Sequence, residues 1–200
     1  MFNLKIKPKK LVLVVVGVLG FGLFVKLAFF PTKSVPFEFA EARLKGSAVA
    51  QSILVLSHDS LKSLEEISQY DRQGNTAEAL ILISRELIKN RETHNAAIRL
   101  STELEKMAQN IPDIQPSSAR QLATEAVTSE VALVRRLLSY NNYLTQLFEV
   151  LRQKFSKPYS NTSGRVAELI SKINEEAQAI NDLDKHFNNA ILEFDKIFAK

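Results

Sequence analysis

A long apolar run near the N-terminus constrains this chain more than any other feature. The run, residues 11–30, reads LVLVVVGVLGFGLFVKLAFF and follows a short basic leader, MFNLKIKPKK. An α-helix of about 20 residues measures roughly 30 Å, the thickness of the hydrocarbon core of a bilayer. The one charged residue in the run, Lys26, lies near its end, where a long side chain can reach the headgroups. The sequence therefore predicts one transmembrane helix.

Two other interpretations of this run remain open, a cleaved secretory signal and a buried core helix. The basic leader fits a signal, but signal peptides have a shorter apolar region of about 7–15 residues and small residues at the cleavage site. Here bulky residues and Pro31 end the run, and the A-x-A motif formed by Ala40, Glu41 and Ala42 lies too far along the chain. The segment favours an uncleaved signal anchor.

The distribution of positive charge predicts the orientation of this anchor. Four lysines and no acidic residue lie in residues 1–10, whereas Glu38 and Glu41 soon follow the run. Because positively charged flanks stay in the cytoplasm, we expect the leader inside the cell and residues 37–200 outside. Residues 31–36 would link the anchor to this external domain.

Composition limits the functions open to the external part. The net charge of +4 arises at the N-terminus, because six of the 26 basic residues and none of the 22 acidic residues lie in residues 1–36. The remainder is slightly acidic, so a nucleic-acid-binding face is not expected. The chain has no cysteine, which excludes a lipoprotein anchor, disulfides and thiolate metal sites. An external domain without disulfides points to a bacterial envelope.

Beyond the anchor, apolar residues recur every three or four positions, which is typical of amphipathic helices. In the third and fourth segments an alternating 4–3 spacing runs unbroken, from Ala123 to Phe155 and from Val166 to Phe198, and the first segment has a similar stripe from Phe39 to Ile67 with small residues at its start. The second segment is less regular, and its predicted core face comprises Leu80, Ile83, Leu87, His94, Ile98, Leu104 and Met107.

Prolines and glycines at the segment boundaries give the predicted helix ends. The predicted helices span residues 37–72, 76–110, 117–155 and 163–199. Because short connections make neighbouring helices antiparallel, we expect an all-α fold in which an up-down-up-down four-helix bundle follows the transmembrane helix.

The turn between the first two helices resembles the turn of a tetratricopeptide repeat. The segment YDRQGNTAEAL matches the family's aromatic, glycine, asparagine and alanine positions with Tyr70, Gly74, Asn75 and Ala79. An array needs about three repeats, and no second copy follows, so the resemblance implies a helical hairpin. Gly74 is expected in a left-handed conformation, and Asn75 is expected to begin a capping box with Glu78.

In layout, the whole chain resembles uncharacterised bacterial single-pass membrane proteins with an extracytoplasmic helical bundle. It lacks the sequence patterns of the LemA family, which shares that layout. The resemblance implies an envelope protein and carries no activity with it.

Motifs for catalysis, cofactor binding or metal binding do not emerge. Di-iron bundles need Glu-x-x-His from two helices, but His58, His94 and His186 lie on three predicted helices and none has a glutamate three residues before it. His94 is instead expected in the core or at its boundary. Serines occur outside any G-x-S-x-G elbow, and there is no glycine-rich phosphate loop. The sequence predicts neither an enzyme nor a bound cofactor or metal.

The concentrated polar and aromatic group in the third helix is the best candidate for a site. Asn141 interrupts the apolar stripe, and Tyr140 and Tyr143 flank it. One interpretation is a buried polar layer that fixes the helix register. The other is a small-ligand pocket between helices.

Asp184 interrupts the fourth stripe, where a lone buried carboxylate would be costly. If Phe155 is level with Gly164 in an antiparallel pair, Asp184 lies beside Arg135 and Arg136. We therefore predict an ion pair between Asp184 and one of these arginines, and we include Asp184 in the candidate polar layer or pocket.

These observations favour a non-enzymatic function. We expect a membrane-anchored scaffold or interaction module of the bacterial envelope, whose partners are the lipid bilayer and other envelope proteins or further copies of the chain, with no nucleic acid. The alternative is an extracytoplasmic sensory or ligand-binding bundle that acts through a partner.

Overall fold

Four long helices account for most of the structure, a computed structural model that describes residues 35–157 and 162–199. They are α1 (Phe37–Gln73), α2 (Thr76–Asn110), α3 (Ser117–Ser156) and α4 (Ser163–Phe198), with a short 3-10 turn at Ile111–Asp113. The described residues form no strand. The predicted all-α class is confirmed, and every predicted helix end lies within one residue of the observed one.

Helices that are neighbours in sequence pack side by side as a bundle. Neighbouring helices run in opposite directions. Along α1 and α2, Gly46 lies near Leu100, whereas Ser63 bonds to Glu86 nearer the turn. Paired contacts show the same for α2 with α3 and for α3 with α4: Arg120 with Pro112 of the 3-10 turn and Asn141 with Asn90, then Arg136 with Glu176 and Gln146 with Arg165. Because each connection is short, each helix returns along the one before it, as predicted.

The first and last helices meet at one end of the bundle. The ring of Phe39 lies 5.9 Å from that of Phe194, which lies 4.9 Å from that of Phe198. Beside these rings, both guanidinium nitrogens Nη1 and Nη2 of Arg43 donate to the carboxylate of Asp195, each at 2.8 Å. Aromatic packing and a bidentate ion pair therefore join α1 to α4 at this end of the bundle.

The turn between α1 and α2 has the conformation that its glycine predicts. Gly74 has a φ of 75°, and the backbone N–H of Asn75 donates to the carbonyl of Tyr70 at 3.0 Å. This pattern is a Schellman motif, which satisfies carbonyls at the end of α1. The predicted capping box is wrong, because the Asn75 amide donates to Gln73 and makes no cap bond to α2.

The core follows three of the four predicted stripes. The stripe residues of α1, α3 and α4 are buried or half-buried throughout. The predicted face of α2 is partly wrong: His94 is exposed, and Ile98 keeps 50 % of its surface accessible. The buried face of α2 instead follows Ala79, Ile83, Glu86, Asn90, Thr93, Ala97, Leu100, Leu104 and Met107.

The predicted leader 1–10 and transmembrane helix 11–30 lie outside the described residues, as does most of the linker 31–36. Within the described part of the chain, none of the helices combines the length and the apolar character that a membrane crossing requires.

Candidate functional site

A hydrogen-bonded amide pair joins α2 to α3 near the middle of the bundle. The Asn90 Nδ2 atom donates to the carbonyl oxygen of Asn141 at 2.8 Å, and the Asn141 Nδ2 atom donates to the carbonyl oxygen of Asn90 at 3.0 Å. Asn90 also donates to Thr145 Oγ1 at 2.6 Å. Both asparagines are buried, so they form a polar layer whose groups satisfy one another.

The two tyrosines that flank Asn141 have different surroundings. Tyr140 is buried, and burial raises the pKa of its hydroxyl above the usual range. Tyr143 is half-buried, and the Nζ atom of Lys172 on α4 lies 5.4 Å from its ring centroid. Since Asn141 bonds to α2 and Tyr143 contacts α4, the structure does not gather these side chains around one space.

Asp184 lies far from this layer and close to a second acid. Along the bundle, Asp184 is level with Glu130 of α3 and not with Asn141. Glu130 and Asn141 are separated by roughly 16 Å of helix. The predicted ion pair is wrong, because Arg136 pairs with Glu176 at 3.4 Å between Nη1 and Oε2. Asp184 is instead hydrogen-bonded to Asn188 on its own helix.

The register of α3 against α4 explains this error. Arg165 near the start of α4 bonds to Gln146 at 2.7 Å, so α3 extends about eight residues, or roughly 12 Å, past the level at which α4 begins. The last turns of α3 reach α1 instead, where Lys154 Nζ lies 2.6 Å from Asp71 Oδ1. The prediction assumed that the end of α3 is level with the start of α4. That assumption placed Asp184 beside Arg135 and Arg136 instead of beside Glu130.

Glu86 is a buried carboxylate that the sequence analysis missed. It has 0 % exposure; its Oε1 atom accepts a hydrogen bond from Ser63 at 2.8 Å and lies 3.2 Å from Lys89 Nζ. Its Oε2 atom has no partner among the described residues. The signal was the unbroken 4–3 spacing through Glu86, Asn90 and Thr93, which a search for apolar residues alone overlooks.

The arrangement offers buried polar groups rather than a set of metal ligands. The part of the chain that the structure describes contains no group of three or more His, Cys, Asp or Glu side chains placed to hold a metal ion. The three histidines, His58, His94 and His186, are exposed on three separate helices, so the expectation that His94 lies in the core or at its boundary is wrong.

Comparison with known proteins identifies no relative: no family model, no curated protein and no solved structure matches the chain.

Proposed function

We propose that the chain is a membrane-anchored, non-enzymatic scaffold or protein-interaction module of the bacterial cell envelope. In this proposal the leader stays in the cytoplasm, residues 11–30 cross the membrane once, and the bundle lies outside. The basic leader and the apolar run support the anchor and its orientation.

The observation that carries the proposed interaction role is an uncovered apolar stripe on α1. Phe37, Leu44 and Val55 are 74 %, 52 % and 53 % exposed. At 100° per residue these positions lie within about 20° of one another around the helix axis. Ala48, also exposed, falls on the same line. Such a row on an outer face supports contact with another protein, because scattered single apolar residues would need no explanation.

One observation favours the sensory alternative. A fully buried carboxylate oxygen without a hydrogen bond, such as Glu86 Oε2, costs free energy unless something pairs with it. A small ligand with a hydrogen-bond donor would satisfy it. Under this alternative, we expect Glu86→Gln to change the response to a ligand, whereas a substitution in the α1 stripe such as Leu44→Glu leaves function unchanged.

The absence of cysteine from the chain allows a direct test of topology. We suggest the full chain with either Asn3→Cys in the leader or Glu65→Cys on the exposed side of α1, treated in spheroplasts with a maleimide that does not cross membranes. We expect Glu65→Cys to react before lysis and Asn3→Cys to react only after it. The opposite pattern, or protection of both, contradicts the proposed orientation.

The interaction role is tested with crosslinkers placed on two faces in the native envelope. Gln51→Cys lies beside the stripe on α1, and Ser171→Cys is a matched exposed position on α4. We expect a discrete protein adduct from Gln51→Cys that Leu44→Glu abolishes, and little from Ser171→Cys. Equal adducts from both faces, or an adduct that survives Leu44→Glu, contradict a role for the stripe.

A further inference from the structure

Two acidic side chains lie buried on facing helices at the α3–α4 seam. Glu130 of α3 is 1 % exposed and Asp184 of α4 is 7 % exposed. Ala126 lies one turn before Glu130, and Phe187 lies one turn after Asp184. Both belong to a small apolar cluster that also contains Ala190 and Ile191. The acids therefore occupy core positions in apolar surroundings, where charge is costly.

The hydrogen bonding of this pair is incomplete. Asn188 bonds to the Asp184 carboxylate, but the Glu130 Oε1 atom is buried without a hydrogen-bond partner among the described residues. A carboxylate accepts only, whereas a carboxylic acid keeps one donor and loses its charge. Glu130 is thus left in surroundings that suit its neutral form.

Positive charge from the other helices does not relieve this pair. At this end of the bundle, Arg43 of α1 is engaged with Asp195, and Glu103 of α2 is paired with Lys106. On α4, Asp184 is the charged group whose field acts on Glu130, and it opposes ionisation. Two like charges at one buried seam favour retention of a proton.

We propose that Glu130 and Asp184 form a buried proton-binding site that couples the packing of α3 against α4 to pH. At neutral pH a proton is covalently held on a Glu130 carboxyl oxygen. At alkaline pH that O–H bond breaks, the proton passes to solvent base, and the seam must accommodate two carboxylates. A metal ion is a poorer occupant, since the pair offers too few oxygen ligands for a hard cation.

The direction of the pH dependence follows from the two pKa values. Burial, and then the charge of Asp184, raise the pKa of Glu130 from 4.5 to about 8. Burial also raises the pKa of Asp184 to about 6, against the opposing effect of its bond with Asn188. Between pH 4.5 and 8 the folded chain holds a proton that the unfolded chain has lost, so stability falls as pH rises through this window.

The test compares the full chain in detergent with its Glu130→Gln variant, which keeps the shape and cannot ionise. From pH 6 to pH 9 we expect the unfolding equilibrium constant of the parent to rise roughly a hundredfold more than that of Glu130→Gln. Equal pH slopes in the two proteins overturn the proposal.

Asp184→Asn provides a second readout that does not depend on the first variant folding. Removing the neighbouring charge should lower the pKa of Glu130 in the folded chain, so the loss of stability with rising pH should end at a lower pH and be smaller. A ¹³C-labelled glutamate spectrum of the parent should show one carboxyl that titrates near pH 8 and shifts in Asp184→Asn. If every glutamate titrates near its ordinary value, the proton site does not exist.

Discussion

Asn90 and Asn141 each donate a side-chain N–H to the backbone carbonyl of the other, across the seam between α2 and α3. The exchange is possible only at one register of the two helices, because a shift by one turn would leave both buried side-chain amides without these acceptors. Such a reciprocal pair specifies alignment more than it adds stability.

This pair should show strong energetic coupling. Asn141→Ala leaves the amide of Asn90 buried with fewer partners, so we expect a loss of about 1–3 kcal/mol in the free energy of unfolding. The double variant Asn90→Ala, Asn141→Ala should lose clearly less than the two single losses added together. Urea unfolding of all four proteins measures this, and strict additivity would show that the bonds do not form.

Two glycine-to-alanine substitutions should have opposite effects. At Gly46, inside α1, an added Cβ would lie 3.5 Å from Leu100 Cδ1, an ordinary contact, so Gly46→Ala should stabilise the bundle by about 0.5–1 kcal/mol. At Gly74 the positive φ disfavours any side chain although no atom lies nearby. Gly74→Ala should therefore cost about 1 kcal/mol. Thermal melts of both variants test the predicted signs of the two stability changes. A loss of stability in Gly46→Ala would indicate tighter packing at this position than the structure shows.

Phe187 and Phe37 are a matched pair of buried and exposed rings. Phe187 is buried in the seam between α3 and α4, and we expect Phe187→Ala to cost about 3–5 kcal/mol. Phe37→Ala, at an exposed position in the first turn of α1, should change stability by less than about 0.5 kcal/mol. Chemical denaturation distinguishes the two. Similar losses at both sites would mean that Phe37 is covered in solution.

The ion pair between Arg43 and Asp195 should contribute more than an exposed pair on the same helix. Arg43→Met keeps the apolar stem but leaves the half-buried Asp195 without its bidentate partner, so we expect a loss of about 1–3 kcal/mol. Lys45→Met removes an exposed pair with Glu41, which solvent screens, so its effect on stability should be clearly smaller than that of Arg43→Met. If unfolding experiments rank these losses the other way, the contact between α1 and α4 does not depend on Arg43.

Sequence reasoning predicted those features of the fold that local chemistry determines. The apolar stripes of α1, α3 and α4 could be predicted because apolar side chains occupy most of their buried positions. The left-handed turn could be predicted because a positive φ at this position favours glycine, and Gly74 supplies it. The predicted core face of α2 was partly wrong because, on this helix, hydrophobicity does not follow burial. Its buried positions include Glu86 and Asn90, while Ile98 points outward, so hydrophobicity favoured the wrong residues.

The candidate site was harder to predict because it depends on register between helices. Asp184 was correctly expected on the core face, but its neighbour follows from how far α3 extends past the start of α4. That offset accompanies the contact of Lys154 with Asp71, which joins residues far apart in sequence. No local pattern encodes such a pair, and the pairing of Asp184 with Glu130 therefore emerged only from the fold.

The ring cluster of Phe39, Phe194 and Phe198 brings the start of α1 and the end of α4 to the same edge of the bundle. The bundle is therefore suited to circular permutation, with a short flexible linker joining these two points and new termini opened at the exposed turn around Gly74. Such a rearranged chain would retain each helix-to-helix seam while changing the order in which the helices are synthesised.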